Sequence, residues 1–501
     1  MHGAAVAAVV MAACVALSGC LGGSTLSPTA PSEEAGPTLD CKSKAGWPEP
    51  CSARATIENG PANENWLAIN PADPRNIVVM AKDYSPQASD CVWIGVMVSH
   101  DGGATWRNSY LGGARSERQP TDPDFSYSCN TDPMFAFDAE GTLYAVQELY
   151  GRVPPGSYGL FPRNAQIGGN LMLVGVSHDG GDTFGGWKTV WAGEGEYTVI
   201  QDRTMLVADA THASLHFSWA QRPVSDPSDQ VLVATTRDGG ATWSAPVLAS
   251  QSGGLGGVAT MAVLPDGTLA VFWLELPPGT TQLAVPQPVV DGTLVMVTST
   301  DDGRTFGTPR DLGAFRVPYG THPTNATYYV APNVQVAVGA DGELYAAINT
   351  VKGTPDKPEM AVQLLHSPDG GVTWSKPQPM VGGGAPGEGT DDQFHGAVAV
   401  GSDGTLYVTY FDTSYARDGR LDLTLASARP VAPGDELAFT RERLTNTSFN
   451  GDLGFHQSGK PFIGDYNGLG IVGHDLYASF PDTVMGRSDI AVAHANLGPS
   501  S

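Results

Sequence analysis

The stretch that decides the fold is SHDGGATW, from Ser99 to Trp106. It packs a hydroxyl, a carboxylate, two glycines, a second hydroxyl and a large aromatic into eight positions. The same pattern returns as SHDGGDTF from Ser177, TRDGGATW from Thr236, STDDGRTF from Ser299 and SPDGGVTW from Ser367. Five copies of one motif mark an internal repeat, whose role is either catalytic or structural.

Turn chemistry accounts for every residue type in the motif. Each copy follows an apolar run and precedes a short polar strand, which places it in a hairpin turn. An aspartate can accept hydrogen bonds from the amides of its own turn, a glycine supplies a positive φ, and the aromatic buries an apolar face. Five equivalent catalytic centres would be unusual in one chain. We therefore predict a structural role for the five aspartates: Asp101, Asp179, Asp238, Asp301 and Asp369.

The spacing of the copies predicts an all-β propeller. Successive aspartates are 78, 59, 63 and 68 residues apart, which is typical of four-stranded blades. Between them lie hairpins that we assign to the innermost strands, four clear and three weaker. They start at Asn70, Phe137, Asp209, Leu264, Gly339, Gly401 and Gly470.

Seven inner hairpins predict seven blades in a single propeller. The last blade lacks an outer strand, which ARATIE, from Ala53 to Glu58, could supply from the other end of the chain. The alternative is six blades, with the first or last hairpin as an appendage.

The pattern S/T-x-D-x-G-x-T-W/F resembles the Asp-box, or BNR repeat, of the sialidase-like β-propellers. FIGDYNG from Phe462, DTVMGRSDI from Asp482 and NPADPRN from Asn70 resemble a bacterial and archaeal subgroup of these proteins. The resemblance covers roughly Glu64 to Asn496. It implies that the Asp-boxes lie on outer strands, away from a central pocket.

The N-terminus predicts a secreted, lipid-anchored protein. The 14 apolar or small residues from Ala4 to Leu17 suit the core of a signal peptide better than a membrane span. They end in LSGC, which resembles a lipobox with Cys20 as the lipidated residue, although no Lys or Arg precedes the apolar run. An ordinary secretory signal with an incidental Cys20 is the alternative. We predict a signal peptide over 1–19, a flexible tether over 20–52 and a propeller over 53–497, held at the cell surface or in the periplasm.

The net charge restricts the possible binding partners, and the cysteine content bears on disulfide formation. The formal net charge of −25 repels phosphate backbones and excludes nucleic acid as a partner. An oxidising compartment favours two disulfides among the four remaining cysteines, in any of three connectivities. Proximity along the chain favours pairing Cys41 with Cys51 and Cys91 with Cys129.

The loops that enter the inner strands converge on one face of a propeller, which is the default position for a binding site. Five carboxylates belong to such loops: Glu64, Asp132, Asp202, Asp392 and Asp465. Carboxylates crowded at one mouth need a cation, a shared proton or a basic partner, and calcium would suit oxygen ligands. We take Asp132, Asp202, Asp392 and Asp465 as the candidate metal ligands.

Other side chains near these loops complete the list of candidates. The catalytic candidates are Asp465, Tyr466, Arg203 and Asp392. The ligand-binding candidates are Asp132, Asp202, His395, Arg316 and Arg487.

The resemblance to sialidases implies three arginines, an acid/base aspartate and a tyrosine nucleophile with a glutamate partner. The stretch FRVP, from Phe315 to Pro318, resembles the sialidase F/Y-R-I-P stretch, but it follows the fourth Asp-box instead of preceding the first. A convincing set of three arginines cannot be assembled. We therefore expect a monomeric, non-catalytic propeller that recognises a glycan or a surface protein and touches the membrane through its lipid only. The alternative is a glycoside hydrolase, an exo-alpha-sialidase or a related glycosidase.

Overall fold

The computed structural model of the chain is all-β and forms a seven-bladed propeller of antiparallel sheets. Both the predicted fold class and the predicted number of blades are confirmed. The structure describes residues 51–54, 60–84, 92–112, 127–151, 171–192, 199–209, 212–223, 229–250, 254–277, 289–354, 357–381, 391–416, 418–429, 436–457 and 460–498.

In blades 1 to 6, the strands run in chain order from the innermost to the outermost. The first strand, β1 (Cys51–Arg54), precedes the blades. Blade 1 contains β2 (Ala62–Ile69), β3 (Ile77–Asp83), β4 (Trp93–Ser99) and β5 (Arg107–Tyr110). Blade 2 contains β6 (Tyr127–Thr131) and β7 (Phe135–Phe137), which share the inner position, then β8 (Leu143–Gly151), β9 (Leu171–Ser177) and β10 (Gly185–Ala192). Blade 3 contains β11 (Val199–Asp209), β12 (Ser214–Pro223), β13 (Gln230–Thr236) and β14 (Val247–Leu248).

The second half of the ring repeats this arrangement. Blade 4 contains β15 (Gly254–Val263), β16 (Leu269–Leu276), β17 (Val289–Ser299) and β18 (Arg310–Pro318). Blade 5 contains β19 (Val334–Val338), β20 (Leu344–Thr354), β21 (Lys357–Ser367) and β22 (Gln378–Pro379). Blade 6 contains β23 (Gln393–Val400), β24 (Leu406–Asp412), β25 (Asp422–Ala428) and β26 (Thr440–Arg443). A 3-10 turn (Gly451–Leu453) and the hairpin β27 (Phe455–Gln457) and β28 (Lys460–Phe462) lead to blade 7, with β29 (Gly468–Val472), β30 (Asp475–Asp482) and β31 (Asp489–Asn496).

The ring is closed by a strand from the N-terminal side of the propeller. The strand β1 pairs antiparallel with β31, with Cys51 opposite His494 and Arg54 opposite Ala491. It supplies the outer strand missing from blade 7, as the sequence predicts, and it begins two residues before the expected Ala53. Closure covers a strand edge that would otherwise be free to pair with another chain.

The hydrophobic core lies between neighbouring blades. The second strands are almost wholly buried; β16, with sequence LAVFWLEL, exposes little of any side chain. Phe217 and Trp219 of blade 3 share one apolar cluster with Leu269, Val271 and Trp273 of blade 4. Burial on both faces explains why these strands are continuous apolar runs in the sequence.

The five repeated turns join the third and fourth strands of blades 1 to 5 with the same hydrogen bonds. In the first turn, Asp101 Oδ1 accepts from Ser99 Oγ and from the Thr105 amide, both at 2.8 Å. Asp101 Oδ2 accepts from Thr105 Oγ1 at 2.6 Å, and Ser99 Oγ accepts from the Gly103 amide at 2.8 Å. The other four turns repeat this set. The carboxylates are thus occupied within their own turns.

Strand register fixes which end of the propeller carries these turns. In blade 1, Ser99 pairs with Ile77, and Ile77 pairs with Ile69 at the end of the inner strand. The inner strand begins at Ala62, opposite Asp83, at the other end of the blade. The repeated turns therefore lie on the face away from the loops that enter the inner strands.

Some predictions fall outside the described residues. The signal peptide, the tether, Cys20, Cys41 and Cys91 are among these, while Cys51 and Cys129 lie in β1 and β6 without described side chains. The lipid anchor and the disulfides therefore stay predictions. Among the described residues, no helix has the length and apolar character needed to cross a membrane.

Candidate functional site

Irregular backbone at the start of the inner strands shapes the face that we call the channel mouth. The pairing of β2, β11, β15 and β23 with their second strands shifts register near the beginning of each strand. Glu64, Asp132 and His395 have φ values of 48°, 49° and 51°, which are rare for residues other than glycine. Such bulges redirect side chains and are frequent beside functional sites.

A buried lysine joins the first two blades at this mouth. Lys82 lies in β3, opposite Asn63 of β2. Its Nζ contacts Glu64 Oε2 and lies 2.5 Å from Asp132 Oδ1 of blade 2. The three side chains are only 13%, 4% and 8% exposed. A charge buried this deeply is tolerated only when it is paired, so Lys82 and its carboxyl partners depend on one another.

Two further carboxyl groups extend the cluster into blades 2 and 3. One ligand oxygen each from Asp132, Glu148 of β8 and Asp202 of β11 lie within 4.8 Å of one another. The Asp132 and Asp202 side chains are hydrogen-bonded to each other. Glu148 is 2% exposed, and its Oε2 has no hydrogen-bond partner among the described residues. Asp202 is exposed, which makes it the member of this trio that faces solvent.

Burial and neighbouring charges shift the pKa values of these carboxyl groups in opposite directions. Burial raises the pKa of Glu64 to about 8, although Lys82 opposes the shift. Burial also disfavours ionisation of Asp132, but Lys82 and hydrogen bonds from Asp202 and Thr131 outweigh it and lower the pKa to about 2. Burial, followed by the charges of Asp132 and Asp202, raises the pKa of Glu148 well above its usual range. These shifts favour the ionised form of Asp132 and the neutral forms of Glu64 and Glu148.

Blade 7 contributes the segment GDYNG that the sequence singled out. Gly464 has a φ of 96°, and a Cβ there would lie 2.7 Å from the Glu64 amide nitrogen, so this close approach requires glycine. Asp465 is near enough for its charge to raise the pKa of Glu64. The Tyr466 ring packs edge-on against Trp66, with ring centroids 6.3 Å apart.

Tyr466 is a poor nucleophile in this environment. It is 3% exposed, and its hydroxyl has no hydrogen-bond partner among the described residues. Burial, followed by the charges of Asp132 and Glu64, raises the pKa of the phenol well above its usual value. The hydroxyl therefore stays protonated at neutral pH, which argues against the role of the tyrosine in sialidases.

Two predicted site residues, Asp392 and His395, lie outside the group formed by Lys82, Glu64, Asp132, Glu148 and Asp202, which we call the Lys82 cluster. Both carboxylate oxygens of Asp392 accept backbone amides, from Met360 and Thr324, each at 2.8 Å. This aspartate therefore ties blade 5 to the start of blade 6 instead of joining the Lys82 cluster. His395 is fully buried among aromatic rings, and burial lowers its pKa to about 3.

The contacts of two of the three predicted arginines are described, and these two side chains bind different groups. Arg316 lies on β18, the outer strand of blade 4, and donates to the Gly353 carbonyl at 3.0 Å. Arg487 pairs with Asp489 at 3.1 Å. Arg203 lies in β11 beside Asp202, and its side chain is outside the described part of the chain.

Sequence reasoning missed Lys82 and Glu148, although a signal was present. Each is the sixth residue of a second strand, in IVVMAKD and in LYAVQELYG. A charged residue near the end of a largely apolar, buried strand needs a partner, and in blades 1 and 2 this end of the second strand lies beside the start of the inner strand.

Of the predicted metal ligands, two lie together and one is occupied elsewhere. Asp132 and Asp202 lie together with Glu148, and three carboxyl oxygens with water could serve calcium, which takes six to eight oxygen ligands. Asp392 is engaged by amides, as described above. Lys82 already compensates the charge of Asp132, so this cluster does not depend on an ion, and calcium stays a prediction.

Comparisons with known proteins give structural neighbours only. No protein-family model and no curated protein sequence matches the chain. Among solved structures, the chain is similar to a protein of unknown function from Dyadobacter fermentans, with a TM-score of 0.45 and 14% identity over 75% of this chain and 96% of that one. It is also similar to an alpha-L-arabinofuranosidase from Fusarium graminearum, with a TM-score of 0.43 and 15% identity over 75% and 94% of the two chains.

A third neighbour is the NanB sialidase from Streptococcus pneumoniae, with a TM-score of 0.44 and 14% identity over 91% of this chain and 70% of that one. The propeller architecture follows from the strand order of the chain itself. These identities concern the fold and not the chemistry.

Proposed function

We propose that this chain is a glycan-directed propeller whose channel mouth carries an acid/base pair for glycoside hydrolysis. The observation that supports the proposal is the trio of Asp132, Glu148 and Asp202, whose carboxyl oxygens lie close together. The lowered pKa of Asp132 favours its ionised form, and the raised pKa of Glu148 favours its neutral form. Most glycosidases use two carboxyl groups in these opposite states, one to donate a proton and one to act as base or nucleophile.

Each residue of the mouth has a separate part in this proposal. Glu148 is the proton donor, because burial keeps it neutral and its Oε2 has no hydrogen-bond partner among the described residues. Asp132 is the ionised carboxylate, and Lys82 keeps it so. The close spacing of their oxygens favours a retaining reaction, in which the two carboxyl groups are about 5–5.5 Å apart.

The charge of the mouth favours neutral or amino sugars over sialosides. Lys82 is outnumbered there by carboxyl groups, and Asp202 is the exposed member of the trio. A sialoside would bring its own carboxylate toward these oxygens and be repelled.

Fluorogenic glycosides test this function. The purified chain is assayed with neutral furanosides and pyranosides, an amino sugar glycoside and a sialoside, with and without calcium. We expect turnover of a neutral or amino sugar and none of the sialoside. Glu148→Gln should lower kcat by about 100-fold or more, as loss of a general acid does. The matched control is Glu140→Gln, the same change in an exposed turn.

The result that would overturn the hydrolase is turnover that survives in Glu148→Gln and Asp132→Asn. A different outcome is glycan binding without turnover on any substrate, which would support a recognition platform for a glycan or a surface protein. The deep burial of Glu64 and Glu148 favours this second candidate, because little of either side chain is open to a substrate.

We further propose that the propeller works as a monomer outside the cytoplasm, tethered through lipid on Cys20. This placement is supported by the apolar N-terminal run and LSGC. An extracytoplasmic position gives the channel mouth access to glycans of the surroundings.

A further inference from the structure

One of the five repeated turns departs from the pattern in a way that its own hydrogen bonds do not require. The fourth copy, STDDGRTF, has Asp302 where the other four have Gly102, Gly180, Gly239 and Gly370. All five residues have positive φ, and that of Asp302 is 62°. Aspartate tolerates this region better than most residues but still less well than glycine. The contacts of its carboxylate show what the substitution provides.

The Asp302 carboxylate reaches from blade 4 to blade 3, on the face opposite the channel mouth. Its Oδ1 accepts from Ser214 Oγ at 2.8 Å and lies 3.5 Å from His216 Nε2. Its Oδ2 is paired with the Arg237 guanidinium. One ligand atom each from Asp209, His216 and Asp302 lie within 4.8 Å of one another. The end of β11, the start of β12 and a turn of the next blade thus meet at one point.

His216 is the member of this group that needs an explanation. Its exposed fraction is 0%, and its Nδ1 is 2.9 Å from Thr235 Oγ1. Its Nε2 makes no hydrogen bond within the described part of the chain and lies 3.5 Å from Asp302 Oδ1. An imidazole nitrogen close to two carboxylates is the donor set of a metal site.

We propose that Asp209, His216 and Asp302 bind a transition-metal ion of the zinc class. Mixed imidazole and carboxylate ligands suit zinc, whereas calcium prefers oxygen ligands alone. Thr235 Oγ1 would accept a hydrogen bond from Nδ1–H of His216, so that Nε2 is free to bind the ion. Arg237 would hold the Asp302 carboxylate in place, as outer partners of metal ligands commonly do.

The fourth ligand of the ion is a water or His212. His212 is exposed and its Nδ1 lies 2.8 Å from Asp209 Oδ2, so its ring is already beside the site. The ion would fasten the β11–β12 hairpin of blade 3 to the turn of blade 4. The metal site shares no residue with the Lys82 cluster, so its test is independent of the test of the proposed hydrolase.

Zinc titration of the purified full chain tests this site. We expect calorimetry to show a zinc equivalent that calcium and magnesium do not displace, and Co²⁺ to show visible absorption bands of a nitrogen- and oxygen-ligated ion. The main variant is Asp302→Gly, which restores the residue of the other four turns and so preserves the fold. It should weaken this equivalent by more than about tenfold, as should His216→Gln.

The control is Asp341→Asn, which removes an exposed carboxylate from an inner hairpin turn of blade 5 and should leave zinc binding unchanged. Zinc binding that is equal in Asp302→Gly and in the unaltered chain would overturn the proposal. So would the absence of zinc binding, which would mean that His216 Nε2 carries a proton and only pairs with Asp302. The Asp302→Gly comparison decides the matter even if His216→Gln does not fold.

Discussion

The protonation state of Glu64 is the most direct test of the electrostatics at the channel mouth. Its side chain is 4% exposed and contacts the Lys82 ammonium, which favours ionisation, while burial favours the neutral acid. Burial prevails and raises the pKa from 4.5 to about 8. Glu64→Gln has nearly the shape of the neutral acid and can still accept from Lys82, so it fixes the protonated form at every pH.

The size of the effect follows from proton linkage. Between pH 4.5 and 8 the folded chain keeps the proton on Glu64 while the unfolded chain loses it, so the stability contributed by this group is full below pH 4.5 and falls as the pH rises. At about 1.4 kcal/mol per pKa unit, the total loss is roughly 5 kcal/mol by pH 8 to 9. The Gln variant does not suffer this loss.

Urea denaturation at pH 5, 7 and 9 measures the difference. We expect the stability of Glu64→Gln relative to the unaltered chain to increase progressively with pH, by a few kcal/mol overall. Glu140→Gln, at an exposed turn, should show no such trend. A difference between Glu64→Gln and the unaltered chain that is the same at pH 5 and pH 9 would refute the reasoning, because it would show Glu64 ionised against Lys82.

Three further predictions concern the turns, the closure and the anchor. Asp179→Ala removes the acceptor of three hydrogen bonds from Ser177 and Thr183, so it should lower the free energy of unfolding by on the order of 1–2 kcal/mol and leave kcat unchanged. A loss of activity without a loss of stability would return these aspartates to the catalytic candidates. A chain that begins at Gly60 lacks β1, and it should melt at a lower temperature and aggregate more readily, since β31 then becomes a free edge; an unchanged melting curve would contradict this. Cys20→Ser should move the protein from the membrane fraction to the medium, and retention in the membrane would exclude the lipobox.

The repeated turns could be predicted from the sequence because their hydrogen bonds join residues that are close together in the chain. Asp101 binds Ser99 and Thr105, two and four residues away, so the whole hydrogen-bond set lies within the eight quoted residues. The spacing of such turns, with an inner hairpin before each, was enough to predict the seven blades. The strand that closes the ring could also be anticipated, because seven hairpins left one outer position unfilled.

The candidate site could be located from the sequence but its members could not be chosen. Asp132 and Asp392 both precede inner strands, and nothing in their neighbouring residues distinguishes them. In the folded chain, Asp132 meets the Lys82 ammonium of the adjacent blade, while Asp392 is taken by the amides of Met360 and Thr324. Each of these partners lies more than 30 residues away in the sequence.

The sequence by itself thus determined the β-propeller, the order of its blades and the face on which loops converge, because strand alternation and turn chemistry act over a few residues. Only the tertiary structure decided which carboxyl groups share a proton or a cation. Protonation depends on burial and on charges a few ångströms away, which no short stretch of sequence specifies. Burial raises the pKa of Glu64 although Lys82 opposes it, whereas Lys82 of the adjacent blade and a hydrogen bond from Asp202 lower the pKa of Asp132.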